Sequence, residues 1–94
     1  MLKLMSFENN NIEVLNYNGE VLFNPYHVGE CLGISKSNVR NYVQQMNKNQ
    51  VIALRNSNVR NMDIRKLPNR GQNFITKSGV YKLIFKSRNP NAER

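Results

Sequence analysis

The chain has one histidine and one cysteine, His27 and Cys31. Their spacing of four residues would place both on one face of a helix. A Cys–His nucleophile pair also needs a group that orients the histidine and a site for an oxyanion, and the surrounding sequence indicates neither. Two such ligands are too few for a zinc site. We therefore expect no catalytic residue, no metal and no cofactor, with Cys31 in the core and His27 partly exposed.

A second kind of chemistry, the binding of a polyanion, is indicated by the distribution of charge. The chain has 14 Lys and Arg against 6 Asp and Glu, a formal net charge of +8. Residues 1–34 hold one cation and four anions, a net of −3, whereas residues 35–94 hold 13 cations and two anions, a net of +11. This asymmetry favours a polyanionic partner that is contacted mainly by the later part of the chain.

The strongest candidate contacts lie on one predicted helix that begins after Ser35. Its apolar positions follow the i, i+3, i+4, i+7 spacing of an amphipathic helix, at Val39, Tyr42, Val43 and Met46. Its other face is polar and basic, and such side chains reach base edges and phosphates in a DNA major groove. The basic strand region that follows is suited to holding the DNA backbone. The candidate DNA-binding residues are Ser35, Lys36, Ser37, Arg40, Asn41, Gln44, Arg55, Arg60, Arg65, Lys66 and Arg70.

Simpler explanations remain open for these charges. The helix face also fits a plain helical hairpin with a solvated polar side, and basic strands can serve only to protect a sheet edge from aggregation. The cations of the last predicted helix are assigned to a solvated face, with an extension of the basic patch as the alternative: Lys77, Lys82, Lys86 and Arg88. The apolar stripe of that helix is assigned to the core, with a dimer surface as the alternative: Tyr81, Leu83, Ile84 and Phe85.

Turn and cap residues predict the elements that position these side chains. Asn18-Gly19 lies between two β-rich runs, 12–17 and 20–23, and predicts a hairpin because both turn residues need positive φ. Thr76 or Ser78 is expected to cap a last helix that ends near residue 87. Three further strands are predicted over residues 51–55, 62–67 and 73–75.

Between the hairpin and the later strands, two short helices with a tight turn are predicted. Asn24 and Pro25 are a typical N-cap and first helical residue, and Gly33 supplies the left-handed residue that ends the first helix. Ser35 then caps the second helix, and the small residue Gly29 allows the two helices to cross closely. The residues expected between the helices are Val28, Leu32, Ile34, Val39 and Tyr42.

The predicted element order, ββ-αα-βββ-α, is that of a small single α+β domain over residues 1–94. It has an N-terminal β-hairpin, a helix-turn-helix-like pair, basic β-strands and a C-terminal helix. At 94 residues the chain supports one thin core. Its apolar runs are too short for a membrane span, and a single cysteine suits a reducing cytosol.

Four stretches of the chain resemble the BRO-N domain, the N-terminal domain of phage antirepressors and of baculovirus repeated-ORF proteins. The resemblance covers residues 12–93, and its most specific stretch is 74–93, which is similar to the family signature SGLY.LI..SR.P.A. The other stretches are 12–23, 28–35 and 38–43. The resemblance implies a DNA-binding module of a regulator in the lysogenic–lytic decision, usually followed by a variable C-terminal domain. It raises the expectation that this chain is a fragment of a longer antirepressor.

We therefore expect a sequence-specific, double-stranded DNA-binding module of a phage or prophage transcription regulator, located in the cytoplasm and nucleoid of a bacterial host. The alternative from another class is a module that binds and inactivates a phage repressor protein, with the positive charge acting as steering. RNA binding is a third reading, and a homodimer is compatible with each.

Overall fold

The computed structural model describes residues 2–7, 10–59 and 65–88, with side chains described for residues 11–59 and 65–88. These residues form an α+β fold with five strands, three helices and one 3₁₀ turn. In chain order the elements are β1 (Leu2–Phe7), β2 (Asn10–Tyr17), β3 (Glu20–Phe23), α1 (Pro25–Cys31), α2 (Lys36–Gln44), β4 (Val51–Leu54), the 3₁₀ turn (Asn56–Asn58), β5 (Gln72–Ile75) and α3 (Lys77–Arg88).

The strands form one antiparallel sheet in the order β1-β2-β3-β5-β4. The β2–β3 hairpin is confirmed, and its turn residues Asn18 and Gly19 have φ values of 52° and 82°. β1 was not predicted from the sequence, and its whole length pairs with residues 10–15 of β2. β3 and β5 share a single residue pair, Phe23 with Ile75. The β4–β5 pair therefore joins the rest of the sheet through a narrow seam.

One face of the sheet is covered by the three helices. Because side chains alternate along a strand, Phe23, Val51 and Ile75 point to the same face. They meet buried side chains of the helices and of the turn that follows α2, namely Val28, Val39, Val43, Met46 and Leu83. Leu32, Ile34 and Tyr42 pack against the same cluster, so the predicted contact between the two short helices is confirmed.

The other face is covered by the irregular chain between β4 and β5, of which residues 55–59 and 65–71 are described; we call these residues the connecting segment. Val59 and Leu67 from this segment join the buried strand residues Leu15, Leu22, Leu54 and Phe74. The predicted strand over residues 62–67 is wrong for residues 65–67, which have no regular secondary structure, while residues 62–64 lie outside the described part.

A side chain takes the place of the missing strand partner. Asn56 accepts the backbone N–H of Leu67 at 2.7 Å and donates to its carbonyl oxygen at 2.8 Å. Both polar groups of Leu67 are thus satisfied, as they would be by a neighbouring strand. The strand predicted over residues 62–67 did not anticipate this side-chain partner.

The turn between α1 and α2 follows the prediction. Asn24 Oδ1 caps α1 by accepting the backbone N–H groups of Tyr26 and His27, at 3.0 and 3.4 Å. Gly33 has a φ of 74°, which other residues adopt only with strain. A Cβ atom at Gly29 would overlap the side chain of Val39. The two helices therefore cross at a distance that only glycine allows.

α3 begins against the loop that leads into β4. Thr76 Oγ1 accepts the backbone N–H of Gly79 at 3.4 Å and donates to the carbonyl oxygen of Asn49 at 2.7 Å. A Cβ atom at Gly79 would lie 2.5 Å from the carbonyl oxygen of Gln50 and 2.8 Å from Ile75 Cβ. Thr76 is thus the predicted cap, and Gly79 lets the helix lie directly on the β4–β5 pair.

Two predictions for α3 are wrong. Leu83 is fully buried, but Tyr81 and Phe85 are 60% and 46% exposed, so only part of the apolar stripe belongs to the core. Lys86, expected on a solvated face, is 4% exposed. Its Nζ lies 5.1 Å from the ring centroid of Tyr42, within reach of a cation–π interaction. Within the described residues, none of the helices is both long and apolar enough to cross a membrane.

Candidate nucleic-acid interface

The predicted contacts of α2 lie on its outer side. Val39 and Val43 bury the inner side of this helix, which directs the polar positions away from the sheet. Ser35 is the N-cap, and its Oγ accepts the backbone N–H of Asn38 at 3.3 Å. The exposed candidate residues at this helix are Ser35, Lys36, Ser37, Arg40, Asn41 and Gln44.

A groove of about 630 Å³ brings four of the predicted contacts together. Arg40 and Gln44 line it from α2, and Arg55 and Arg70 line it from the two ends of the connecting segment. All four residues are exposed. The first and the last of them, Arg40 and Arg70, are 30 positions apart in the chain, so their meeting is a property of the fold rather than of local sequence.

The floor of this groove is small and uncharged. Ala53 and Asn73 are register partners on β4 and β5, and both line the groove with exposed side chains. Because the floor carries no bulky or acidic group, an anion can approach the surrounding arginines. Three of the four groove residues that were predicted as contacts are arginines, which bind phosphates and guanine in a bidentate manner.

Other predicted residues lie elsewhere on the surface. Lys36 lines a second, smaller hollow with Tyr26, His27 and Glu30. Lys66 is exposed but is not part of the groove lining. Arg60 lies outside the described residues.

Arg65 was predicted as a DNA backbone contact, but its guanidinium is already bound within the protein. Its Nε donates to Glu13 Oε2 at 2.6 Å and its Nη2 to Glu13 Oε1 at 2.7 Å. Nη2 also donates to Gln72 Oε1 at 2.9 Å, and Nη1 contacts the carbonyl oxygen of Lys66 at 3.4 Å. These four bonds use most of the N–H groups of a guanidinium. We therefore exclude Arg65 from the interface proposed below.

Glu13, the partner of Arg65, is 5% exposed. Burial alone would raise the pKa of its carboxyl group. The hydrogen bonds from Arg65 and Asn24, together with the positive charge of Arg65, outweigh this effect and hold the pKa of Glu13 below its ordinary value. The bond to Glu13 likewise raises the pKa of Arg65. The pair therefore stays ionised at neutral pH.

Some residues of this region were not identified from the sequence. Ala53 and Asn73 form the groove floor, and Tyr26, which is 36% exposed, lines both hollows. Nothing in residue type or spacing marked these three positions. For Glu13 a signal was present. It lies two positions before the core residue Leu15, so both side chains point to the same face of the predicted strand. A carboxylate on that buried face needs a polar partner.

His27 and Cys31 carry the side chains of this region that are best suited to nucleophile or metal chemistry. His27 Nδ1 accepts the backbone N–H of Glu13 at 3.0 Å, so this nitrogen carries no proton to give. Cys31 is half-buried rather than a full core residue. Among the described residues, no group of three or more His, Cys, Asp and Glu side chains is placed to hold a metal ion.

Comparison with known proteins identifies the family. The family model for the N-terminal domain of the BRO family matches residues 11–94. Comparison with curated proteins and with solved structures gave no match. The matched domain is generally a DNA-binding domain of phage and viral BRO proteins, and it is not typically enzymatic. Because the match covers nearly all of the chain, this protein belongs to the BRO family, as a copy of its N-terminal domain.

Proposed function

We propose that this protein is a sequence-specific, double-stranded DNA-binding module of an antirepressor-type phage or prophage regulator. The observation that carries the proposal is the groove in which Arg40 and Gln44 of α2 face Arg55 and Arg70. The family generally binds DNA. The groove combines residues of α2 with residues of the connecting segment, and all four come from the basic part of the chain. The module acts by occupying DNA in the nucleoid of a bacterial host and needs no catalytic group.

In this proposal α1 and α2 act as a helix-turn-helix unit, with α2 in the major groove. A major groove is about 12 Å wide and admits a single α-helix. Arg40 is suited to guanine, and Asn41 and Gln44 are suited to adenine, because each side chain can form two hydrogen bonds with the base edge. Lys36, with the hydroxyls of Ser35 and Ser37, contacts phosphates at the start of the helix.

The connecting segment supplies the contacts to the DNA backbone. Arg55 and Arg70 face α2 across the groove floor, and Lys66 lies exposed on the same segment. Phosphate contacts fix the register of a protein on DNA, whereas base contacts select the sequence. The proposed interface thus divides these two tasks between its two sides.

The test is a titration of duplex DNA at several salt concentrations, preceded by a footprint on source DNA to obtain a site. With about six phosphates neutralised, log K should fall with log salt at a slope of about −5. The double variant Arg40→Ala, Gln44→Ala should lose preference for the site, and Arg70→Ala should reduce the slope by about 1. Lys77→Ala removes an exposed cation outside the groove and serves as the control. A flat salt dependence contradicts the proposal.

A second candidate function is direct binding of a phage repressor protein. It is favoured by the exposure of Tyr81 and Phe85 on α3, 60% and 46%, because exposed aromatic side chains are enriched in protein interfaces. The double variant of Arg40 and Gln44 separates the two functions. Loss of DNA binding with retained repressor binding would assign the groove to DNA, and loss of repressor binding with retained DNA binding would assign the groove to the repressor.

A further inference from the structure

We propose that Glu13 is a positioning residue for the DNA-binding groove. Its buried carboxylate ties the α1–α2 pair to the connecting segment and so sets the separation of the two sides of the groove. The inference rests on the proposed function, but one arm of its test does not depend on DNA.

On the helix side, Glu13 is bound through both its backbone and its side chain. Its Oε1 accepts from Asn24 Nδ2 at 3.0 Å, and its carbonyl oxygen accepts the backbone N–H of Asn24 at 2.9 Å. Its own N–H donates to His27 Nδ1 at 3.0 Å. Because Asn24 also caps α1, the start of the helix pair is held directly on Glu13.

On the other side, the same carboxylate holds the connecting segment. Arg65 binds both carboxylate oxygens, at 2.6 and 2.7 Å, and also reaches Gln72 at the start of β5. Only one residue separates Arg65 from Leu67, which Asn56 fixes through two hydrogen bonds. Arg55 and Arg70 lie at the two ends of the segment that these bonds immobilise.

The arrangement gives Arg65 a role different from that of the other arginines. It is a bridge from an acidic strand to the basic segment, and its charge is largely compensated by Glu13. A side chain that fixes contact residues before binding lowers the ordering cost of binding. Glu13 and Arg65 therefore support affinity without touching phosphate.

Three variants test this role, with DNA affinity and its salt dependence as readouts. Glu13→Gln removes an anion, which by electrostatics alone should tighten DNA binding. Arg65→Lys keeps the charge but cannot make the paired contact with both carboxylate oxygens. Glu20→Gln makes the same charge change at an exposed position of β3 and is the matched control.

We expect Glu13→Gln and Arg65→Lys each to weaken DNA binding about tenfold, with the salt slope unchanged. An effect of this size is typical of residues that influence binding without contacting the ligand. The double variant should be no weaker than either single variant, because both remove one interaction. Glu20→Gln should bind as well as the unmodified protein or slightly better. Tighter binding by Glu13→Gln with a slope steeper by about 1 would mean that Arg65 has been released to a phosphate, which overturns the proposal.

Amide hydrogen exchange at Leu67 tests the positioning role without DNA. Its N–H bonds to Asn56 Oδ1 at 2.7 Å, so its exchange should become faster in Glu13→Gln and Arg65→Lys but not in Glu20→Gln. Unchanged exchange and unchanged affinity in both variants would refute the positioning role. If the unmodified protein shows no salt-dependent DNA binding, the proposed function fails, while the exchange result still decides whether Glu13 holds the segment. If Glu13→Gln does not fold, Arg65→Lys alone carries both readouts.

Discussion

Both faces of the sheet carry buried apolar clusters, but the two faces are covered in different ways. On one face α1, α2 and α3 bury Val39, Ile75 and Leu83 through periodic apolar side chains. On the other face the connecting segment places Val59 and Leu67 on the strands and is held by specific polar bonds. The proposed DNA groove takes one side from each covering. Its geometry therefore depends on an irregular segment as much as on a helix pair.

The largest expected effect tests whether the connecting segment is a true part of the core. Leu67 is 2% exposed, and Leu67→Ala should lower the free energy of unfolding by about 3 kcal/mol in urea denaturation. Leu83→Ala on the helix face should cost a similar amount. Lys66→Ala, at the exposed neighbouring position, should change stability by less than about 0.5 kcal/mol. If Leu67→Ala alone lowered the free energy of unfolding by less than about 1 kcal/mol, the connecting segment would not be packed as part of the core.

A smaller effect tests the close packing of the helix face. In Gly79→Ala the new Cβ would meet the carbonyl oxygen of Gln50 at 2.5 Å, and a backbone oxygen cannot rotate away. We expect a loss of about 2 kcal/mol despite the gain in helix propensity from alanine. Ser78→Ala, at an exposed position in the same helical turn, is the control. A neutral or stabilising Gly79→Ala would show that α3 does not rest tightly on this loop.

The smallest effect concerns the charge that holds the connecting segment. The pKa of Glu13 is below its ordinary value of 4.5 in the folded protein, so the unfolded state binds the proton more readily. The stabilisation by Glu13 is therefore complete above the ordinary pKa and is lost as the pH falls through the lower, folded pKa. The partner Arg65 is 40% exposed, which limits the expected contribution to about 1 kcal/mol.

The measurement is urea denaturation of the unmodified protein and of Glu13→Gln between neutral and strongly acidic pH. The variant should lose less stability than the unmodified protein as the pH falls, because it has no carboxylate to protonate at this position. Glu20→Gln should retain the full pH dependence that Glu13 contributes. Parallel curves for Glu13→Gln and the unmodified protein would contradict the buried ion pair.

The helix face could be predicted because its determinants are local. Asn24, Gly33 and Ser35 lie where short-range rules place a cap, a left-handed turn residue and a second cap. Gly29 meets Val39 because the turn between the helices is short. The exposed positions of α2, among them Arg40 and Gln44, followed from the same periodicity.

The opposite face could not be predicted in the same way, because its partners are distant in sequence. Glu13 finds Arg65, and Leu67 finds Asn56 instead of a strand. The strand β1, which pairs with β2 at the edge of the sheet, was also not predicted. The helix face holds one similar case. Lys86 of α3 is buried beside the ring of Tyr42, which belongs to another helix, and composition alone does not reveal this contact.

The bond between Glu13 and Arg65 also has a consequence for the time course of folding. It joins residues 52 positions apart, whereas the β2–β3 hairpin and the α1–α2 turn close over a few residues. Closing a long loop costs chain entropy before any contact repays it, so such contacts form late. Interactions absent from the folding transition state govern the rate of unfolding rather than the rate of folding. The ion pair would then chiefly slow unfolding. Its loss would raise the unfolding rate of the domain without lowering the folding rate.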